Sequence, residues 1–128
     1  MKYLGIDYGD SKIGLALGDS ESGLAMPFKI IDNHSPHKLL AEILEIIEKE
    51  KIEKIVIGLP LNTRGNKSEQ TNKTQKFADQ LAEETELEVI LHDEKFSSRQ
   101  AIKMRPGQRD DDLAASIMLQ DHLDSIKN

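Results

Sequence analysis

The sequence contains no cysteine and no tryptophan, and only 4% of its 128 residues are aromatic. The missing cysteines exclude disulfides and thiolate metal sites. No hydrophobic run approaches the roughly 20 residues of a membrane-spanning helix, and the N-terminus does not resemble a signal peptide. We therefore expect a soluble cytoplasmic protein without membrane contact. With so few aromatic residues, base stacking is not expected to be its main binding device.

The charges are unevenly distributed along a chain whose formal net charge is −6. An acidic balance disfavours nucleic acid as a partner, and residues 42–54 and 83–88 are rich in glutamate. In contrast, residues 62–76 carry four basic side chains against one acid, and residues 95–109 carry five and no acid. These two segments predict phosphate binding, although a solvated surface is the alternative. Their candidate nucleic-acid contacts are Arg64, Lys67, Lys95, Arg99, Lys103, Arg105 and Arg109.

Hydrophobic periodicity predicts the element order β-β-β-α-β-α-β-α in one domain spanning residues 1–128. Helical crossovers make the first, fourth and fifth strands mutually parallel in a mixed α/β sheet. The uncharged run at 3–6 predicts that the first strand is central, and Pro27 places the third at an edge. The strands are expected near 3–6, 12–17, 23–31, 55–59 and 88–91, and the helices near 36–50, 68–84, 97–104 and from about 110. Helical spacing predicts that Leu39 and Ile43 face the core in the first helix, and Ala78 and Ala82 in the second. A loop is expected at 62–70.

A carboxylate, Asp7, directly follows the uncharged run of the first strand. A charge at the end of a central strand is costly unless a basic side chain or a metal ion pairs with it. The simpler alternative is that Asp7 only ends the strand and caps a turn. Ligands in open sheets gather beyond the carboxyl ends of the parallel strands. Asp93 and Glu94 follow the fifth strand, so they are expected at the same edge as Asp7.

Three further acids, residues 110–112, open the last predicted helix. Acids in a first turn complement the helix dipole, so capping alone is one explanation. Three adjacent like charges repel each other, so a nearby cation is the other. Asp7, Glu94 and one acid of this triplet would form an all-oxygen ligand set, which suits Mg²⁺ or Mn²⁺. Two such ions clamp the attacking and leaving oxygens of a phosphodiester.

Four blocks of the sequence, in order, resemble the YqgF family of bacterial nucleases. Residues 5–16, Gly-Ile-Asp-Tyr-Gly-Asp-Ser-Lys-Ile-Gly-Leu-Ala, are similar to its opening motif. Residues 56–62 with Gly65, residues 93–98, and residues 111–119 are similar to its later blocks. The resemblance implies a ribonuclease H-like fold with helices on both faces of a five-stranded sheet. It also implies a metal-dependent nuclease that processes the 5′ end of pre-16S rRNA, in a family earlier assigned as Holliday junction resolvases.

The resemblance further implies which acids form the site, namely Asp7, Glu94 and Asp111. Asp111 is preferred within its triplet because the family's acid stands three residues before an Ala-Ala pair; the residues alone leave that choice open. Lys12 is a further candidate phosphate contact. It and Lys95 stand where the family usually has Arg, so they keep the charge but lose the bidentate geometry. Asp93 is either a further ligand or an outer partner of the site, and the outer role is preferred.

Other functions remain open from the sequence. A nuclease on four-way DNA junctions would use the same chemistry and would favour a dimer, but nothing in the sequence defines the oligomeric state. The hairpin at 5–16 is also similar to the phosphate loop of sugar kinases and actin-like ATPases, so a nucleotide-binding module is another class. A non-catalytic RNA-binding assembly factor is a third. A role of His92 in proton transfer is possible because it adjoins Asp93.

Overall fold

Five β-strands and three α-helices make up the described part of the chain, residues 1–60, 69–94 and 110–126, in a computed structural model. The elements are β1 (Lys2–Tyr8), β2 (Lys12–Asp19), β3 (Leu24–Asp32), α1 (Pro36–Glu50), β4 (Lys54–Pro60), α2 (Glu69–Thr85), β5 (Glu88–Glu94) and α3 (Asp110–Ser125). The predicted order β-β-β-α-β-α-β-α is confirmed. The predicted short helix at 97–104 and most of the predicted loop at 62–70 lie outside the described residues.

The strands form one mixed sheet in the order β3-β2-β1-β4-β5. β1 pairs antiparallel with β2 and parallel with β4, and β4 pairs parallel with β5. The predictions that β1 is central, that β3 is an edge strand and that β1, β4 and β5 are parallel are therefore confirmed. Because these three strands run in one direction, their carboxyl ends lie together at one edge of the sheet.

Helices cover both faces of the sheet, as predicted. On one face α1 and α2 bury a large core, in which Leu4, Ile6, Ile57 and Leu81 are each fully inaccessible to solvent. On the other face α3 packs across a smaller core that includes Tyr3, Ala16, Val56, Ala115, Met118, Leu119 and Leu123. Successive strand residues alternate between the two cores. Each residue of β1 thus faces either α3 or the α1–α2 layer.

The helix boundaries agree closely with the sequence prediction. One residue that was predicted to face the core is exposed instead. Ser35 takes the N-cap position and Pro36 the first turn of α1, but the Ser35 side chain makes no capping hydrogen bond. In α2, Ala82 was expected to face the core and is exposed, while Thr71 and Thr74 are buried. Thr74 is tolerated there because its hydroxyl donates to the Gln70 carbonyl at 2.9 Å. No helix in the described ranges is long and apolar enough to cross a membrane.

The outer edge of β3 is occupied by a side chain of α3. The Gln120 carboxamide accepts a hydrogen bond from the Ala25 N–H at 2.9 Å and donates one to the Gly23 carbonyl at 2.7 Å. Pro27, two residues further along, has no N–H to offer. A register shift opposite Leu15 and Ala16 then leaves Phe28 without a partner in β2. This combination of cap, proline and bulge is typical of a protected edge strand.

Candidate active site

Asp7 lies near the carboxyl end of β1, on the sheet face that α3 covers. Tyr3 belongs to the core beneath α3, and Gly5 contacts α3 directly, so strand alternation places Asp7 on the same face. Its side chain is half-buried. Asp7 opposes Gly14 in β2 and Gly58 in β4, so the residues on either side of it have no side chains. Within the sheet, no neighbouring side chain on β2 or β4 therefore crowds the carboxylate.

Two side chains, one from the β3–α1 connection and one from α2, hold the turn that follows Asp7. Asn33 donates through Nδ2 to the Gly9 carbonyl at 2.8 Å, and Gln70 donates through Nε2 to the Tyr8 carbonyl at 3.3 Å. Gly9 is required for space, because a Cβ atom there would lie 2.5 Å from the Lys12 carbonyl oxygen. These contacts fix the backbone at the end of β1. They are long-range, and sequence reasoning missed both.

The helix α3 runs antiparallel to β1 and brings its first turn over the carboxyl end of that strand. A Cβ atom at Gly18, opposite Tyr3 at the start of β1, would lie 3.0 Å from Leu123 Cδ1. A Cβ atom at Gly5 would lie 3.0 Å from Leu119 Cβ and 3.3 Å from the Ala115 carbonyl oxygen. The N-terminus of α3 therefore lies near the carboxyl end of β1.

The backbone positions of the other two predicted acids lie at this same end of the sheet. Asp111 is four residues before Ala115, about 6 Å along the helix, and Asp7 is two residues after Gly5, about 6.6 Å along the strand. Glu94 is the last residue of β5. Its strand lies two places from β1, which is about 10 Å at the usual strand spacing. The side chains of Glu94 and Asp111 lie outside the described residues.

Among the side chains that are described, no group of three or more His, Asp or Glu residues could hold a metal ion. Asp93 is exposed and takes the strand position after His92. Val89 and Leu91 pack on the α1–α2 core, so Asp93 lies on the face opposite to Asp7. Of the predicted nucleic-acid contacts, Lys12 is exposed at the start of β2. The others, Arg64, Lys67, Lys95, Arg99, Lys103, Arg105 and Arg109, lie outside the described residues.

His92 contacts a second histidine that the sequence analysis did not single out. Its ring lies edge-on to that of His122, with 6.2 Å between centroids and 87° between planes. His122 also packs on Tyr3, with ring centroids 5.8 Å apart. Burial lowers the pKa of His122, and the nearby His92 and Lys54 lower it further. The charged form of His122 is therefore disfavoured in its place between α3 and the sheet.

We expect His122 to make folding less favourable at acid pH. Its pKa is lower in the folded protein than the ordinary 6.5, so the unfolded chain binds the proton more readily. The free energy of unfolding should fall as the pH drops below 6.5, until the pH is also below the folded value. Urea unfolding at several pH values should show a shallower decline for His122→Gln than for wild type. The exposed His37→Gln serves as control, and an unchanged slope in His122→Gln would contradict this expectation.

Solved structures share this fold. The Thermus thermophilus RuvC structure in complex with a Holliday junction substrate aligns with a TM-score of 0.57 and 16% identity, covering 92% of this chain and 91% of that one. The fowlpox virus Holliday junction resolvase aligns with a TM-score of 0.57 and 13% identity, covering 98% and 100%. These likenesses place the described sheet and helices in the ribonuclease H-like fold, which confirms the predicted fold class.

The described fold has acids at the carboxyl ends of its parallel strands, and the family and relatives that its sequence matches make the protein a nuclease, which is a hydrolase of phosphodiester bonds. A family model described as "RuvX: Holliday junction resolvase" matches residues 1–125. Proteins named "Putative pre-16S rRNA nuclease" from Rickettsia conorii and Rickettsia felis are each 38% identical to the chain. The first alignment covers 98% of this chain and 87% of its relative, and the second covers 97% and 86%. The chain belongs to the RuvX family, which confirms the predicted resemblance.

Proposed function

We propose that this protein is a metal-dependent nuclease that hydrolyses phosphodiester bonds in the 5′ leader of pre-16S rRNA, in the cytoplasm. The observation that carries the proposal is the arrangement around Asp7. A half-buried carboxylate lies at the end of the central strand, between two glycines and beneath the first turn of α3. The names of the Rickettsia relatives support pre-16S rRNA as substrate.

Asp7, Glu94 and Asp111 are the residues we propose as metal ligands. The donor set is all oxygen and all carboxylate, which fits Mg²⁺ or Mn²⁺ and would offset the charge on three acids at one edge of the sheet. A two-ion site would activate water and stabilise charge on the leaving oxygen. Asn33 and Gln70 hold the backbone just after Asp7. The position of the Asp7 carboxylate relative to the proposed ions would therefore be fixed.

The phosphate backbone of the substrate would be held by basic side chains near this edge. Lys12 is exposed at the hairpin that joins β1 to β2, next to the turn after Asp7. The segments 62–68 and 95–109 join the carboxyl ends of β4 and β5 to the following helices. Both segments therefore begin at the edge of the sheet where Asp7 lies. This placement supports their proposed role as phosphate contacts.

A second candidate function is cleavage of four-way DNA junctions. It is favoured by the description of the family and by the fold shared with junction resolvases. The same carboxylates would serve, since the hydrolysed bond is the same. Two symmetric cuts require two copies of the site, so this function would need a dimer.

One experiment separates the two functions. Labelled pre-16S leader RNA and a four-way DNA junction are offered in parallel, with a linear DNA duplex of matching sequence as control and with Mg²⁺, Mn²⁺ or EDTA. We expect cleavage of the RNA that requires metal and leaves the duplex intact. Cleavage of the junction without the RNA would transfer the proposal to the resolvase function, with a dimer expected by light scattering. Equal cleavage in EDTA would contradict a metal-dependent site.

A further inference from the structure

A cavity of about 250 Å³ opens on the α1–α2 side of the sheet, just behind the proposed active site. We call it the α2 pocket. Its floor is the end of β1, one wall is the start of α1 with the residues before it, and the other wall is α2. The described residues that line it are Tyr8, Asn33, Pro36, Leu39, Lys73, Lys76, Phe77 and Gln80.

Two of the five aromatic residues in the sequence meet in this pocket. The rings of Tyr8 and Phe77 lie 4.8 Å apart at 37° to each other. Phe77 is buried in the core, whereas Tyr8 is only partly buried and is packed at its margin. The pair is thus anchored on one side and borders the cavity on the other. Such a supported aromatic surface suits the planar face of a nucleobase.

The charge of the α2 pocket is positive although that of the whole chain is −6. Its described lining contains Lys73 and Lys76 and no acid. Lys73 reaches Asp10 at 3.4 Å, but both side chains are more than half exposed, so this ion pair contributes little and is readily exchanged for another anion. The exposed carboxamide of Gln80 adds a group that can donate and accept hydrogen bonds.

The pocket and the proposed site are separated by the thickness of one strand. Tyr8 follows Asp7 directly, and the two side chains lie on opposite faces of the sheet because strand residues alternate. The strand ends at Tyr8, so a nucleic-acid chain at Asp7 can pass over the end of β1 without crossing the sheet. The next nucleotide along that chain would then lie at the α2 pocket.

We propose that the α2 pocket binds one unstacked nucleotide of an RNA strand, next to the nucleotide whose phosphate is cut at Asp7. Its base would pack on the Tyr8–Phe77 pair, and its phosphates would contact Lys73 and Lys76. This proposal rests on the proposed function, because it assumes that the strand is held at Asp7. Such a site would let a protein with few aromatic residues select single-stranded or frayed RNA beside the cut.

The first test is an abasic scan in EDTA, where cleavage does not interfere. Binding of a short leader RNA is measured by fluorescence anisotropy, with the base removed at one position at a time. We expect one position at which the abasic RNA binds wild type about tenfold more weakly, the scale of one lost stacking contact. Tyr8→Leu should bind the intact RNA about tenfold more weakly and should no longer distinguish that abasic RNA.

The control for that test is Phe28→Leu, which likewise replaces an aromatic ring by leucine, at an exposed residue of β3. It should retain the wild-type preference for the intact base. A wild type that is insensitive to every abasic position, or a Tyr8→Leu that still distinguishes the same position, would overturn the proposal. Circular dichroism confirms that each variant is folded.

The second test measures phosphate contacts through the salt dependence of binding. For single strands the slope of log K against log salt changes by about 0.7 for each phosphate contact. The double variant Lys73→Gln with Lys76→Gln should therefore lower the slope by about 1.4. Lys38→Gln with Lys49→Gln removes the same charge from α1 and should leave the slope unchanged. Equal slopes in the two double variants would overturn the proposal.

The two proposals fail in different ways. If the α2 pocket does not bind a nucleotide but the nuclease function holds, wild type cleaves RNA in Mn²⁺ and shows no abasic-sensitive position in EDTA. If the metal-dependent function fails but RNA still binds, the abasic-sensitive position persists without cleavage. Each result is read from a separate assay, so one does not obscure the other.

Discussion

Asp7→Asn is expected to lower the rate of RNA cleavage on the order of 10³-fold, the loss typical of removing one preorganised electrostatic group from an active site. The amide keeps the shape of the side chain and removes its charge, so the ligand set loses one of three proposed carboxylates. The side chain is half-buried, near the end of a strand paired on both sides, so the substitution should leave the sheet intact. Single-turnover cleavage with Mn²⁺ measures the effect.

The matched control is Asp10→Asn, which makes the same change three residues away on an exposed side chain of the adjoining turn. It should cleave within about twofold of wild type, because exposed ion pairs contribute little. Thermal unfolding adds a readout that does not depend on activity. Mn²⁺ should raise the melting temperature of wild type and of Asp10→Asn but much less that of Asp7→Asn. Equal stabilisation of all three proteins would remove Asp7 from the metal site.

Gly5→Ala should displace α3 and so reduce both stability and activity. Replacing a strand glycine by alanine ordinarily stabilises a protein by about 0.4–1 kcal/mol through the unfolded chain. Here the new Cβ would lie 3.0 Å from Leu119 Cβ and 3.3 Å from the Ala115 carbonyl, atoms that move only if the helix moves. Overpacking of this kind costs about 1–3 kcal/mol, which exceeds that gain, so the substitution should destabilise the protein. Urea unfolding should show a lower free energy of unfolding for Gly5→Ala than for wild type.

The activity of Gly5→Ala should fall because α3 carries Asp111 in its first turn. A misplacement of catalytic groups by about 1 Å lowers rates about 10²-fold, and a few tenths of an ångström should cost about tenfold. Gly18→Ala is the control on the same face of the sheet. Its Cβ would meet Leu119 Cδ2 at 2.9 Å and Leu123 Cδ1 at 3.0 Å, the far ends of side chains that can rotate. A Gly18→Ala that is as inactive as Gly5→Ala would argue against the helix displacement.

The fold was largely predictable because its signals are local. The uncharged run at 3–6 predicted a strand covered on both faces, and β1 is the central strand. The spacing of Leu39 and Ile43 predicted α1, whose observed bounds are Pro36–Glu50. The bulge at Phe28 was not predicted, because nothing in β3 alone shows how it pairs with β2. The prediction that Ala82 faces the core was wrong, because helical spacing does not show how wide the buried face of α2 is.

The site was predictable only in part. Asp7 could be selected because a charge interrupted an apolar strand, whereas the choice of Asp111 within its triplet came from family resemblance. The hydrogen bonds from Asn33 and Gln70 to the turn after Asp7 join residues 24 and 62 positions apart. Neither side chain carries a signal of this role in the sequence. The meeting of Tyr8 with Phe77 is likewise a product of tertiary packing.

The hydrogen bonds of Gln120 have a consequence for assembly. Its carboxamide bonds to the Gly23 carbonyl and to the Ala25 N–H, the two groups on either side of Leu24. A residue of a parallel neighbouring strand would bond to the same two groups, so the side chain takes the place of a neighbouring strand there. A second copy cannot extend the sheet at Gly23 and Ala25 without first evicting this side chain. Any pair of subunits that cuts a junction symmetrically would therefore have to meet through a surface other than this stretch of β3.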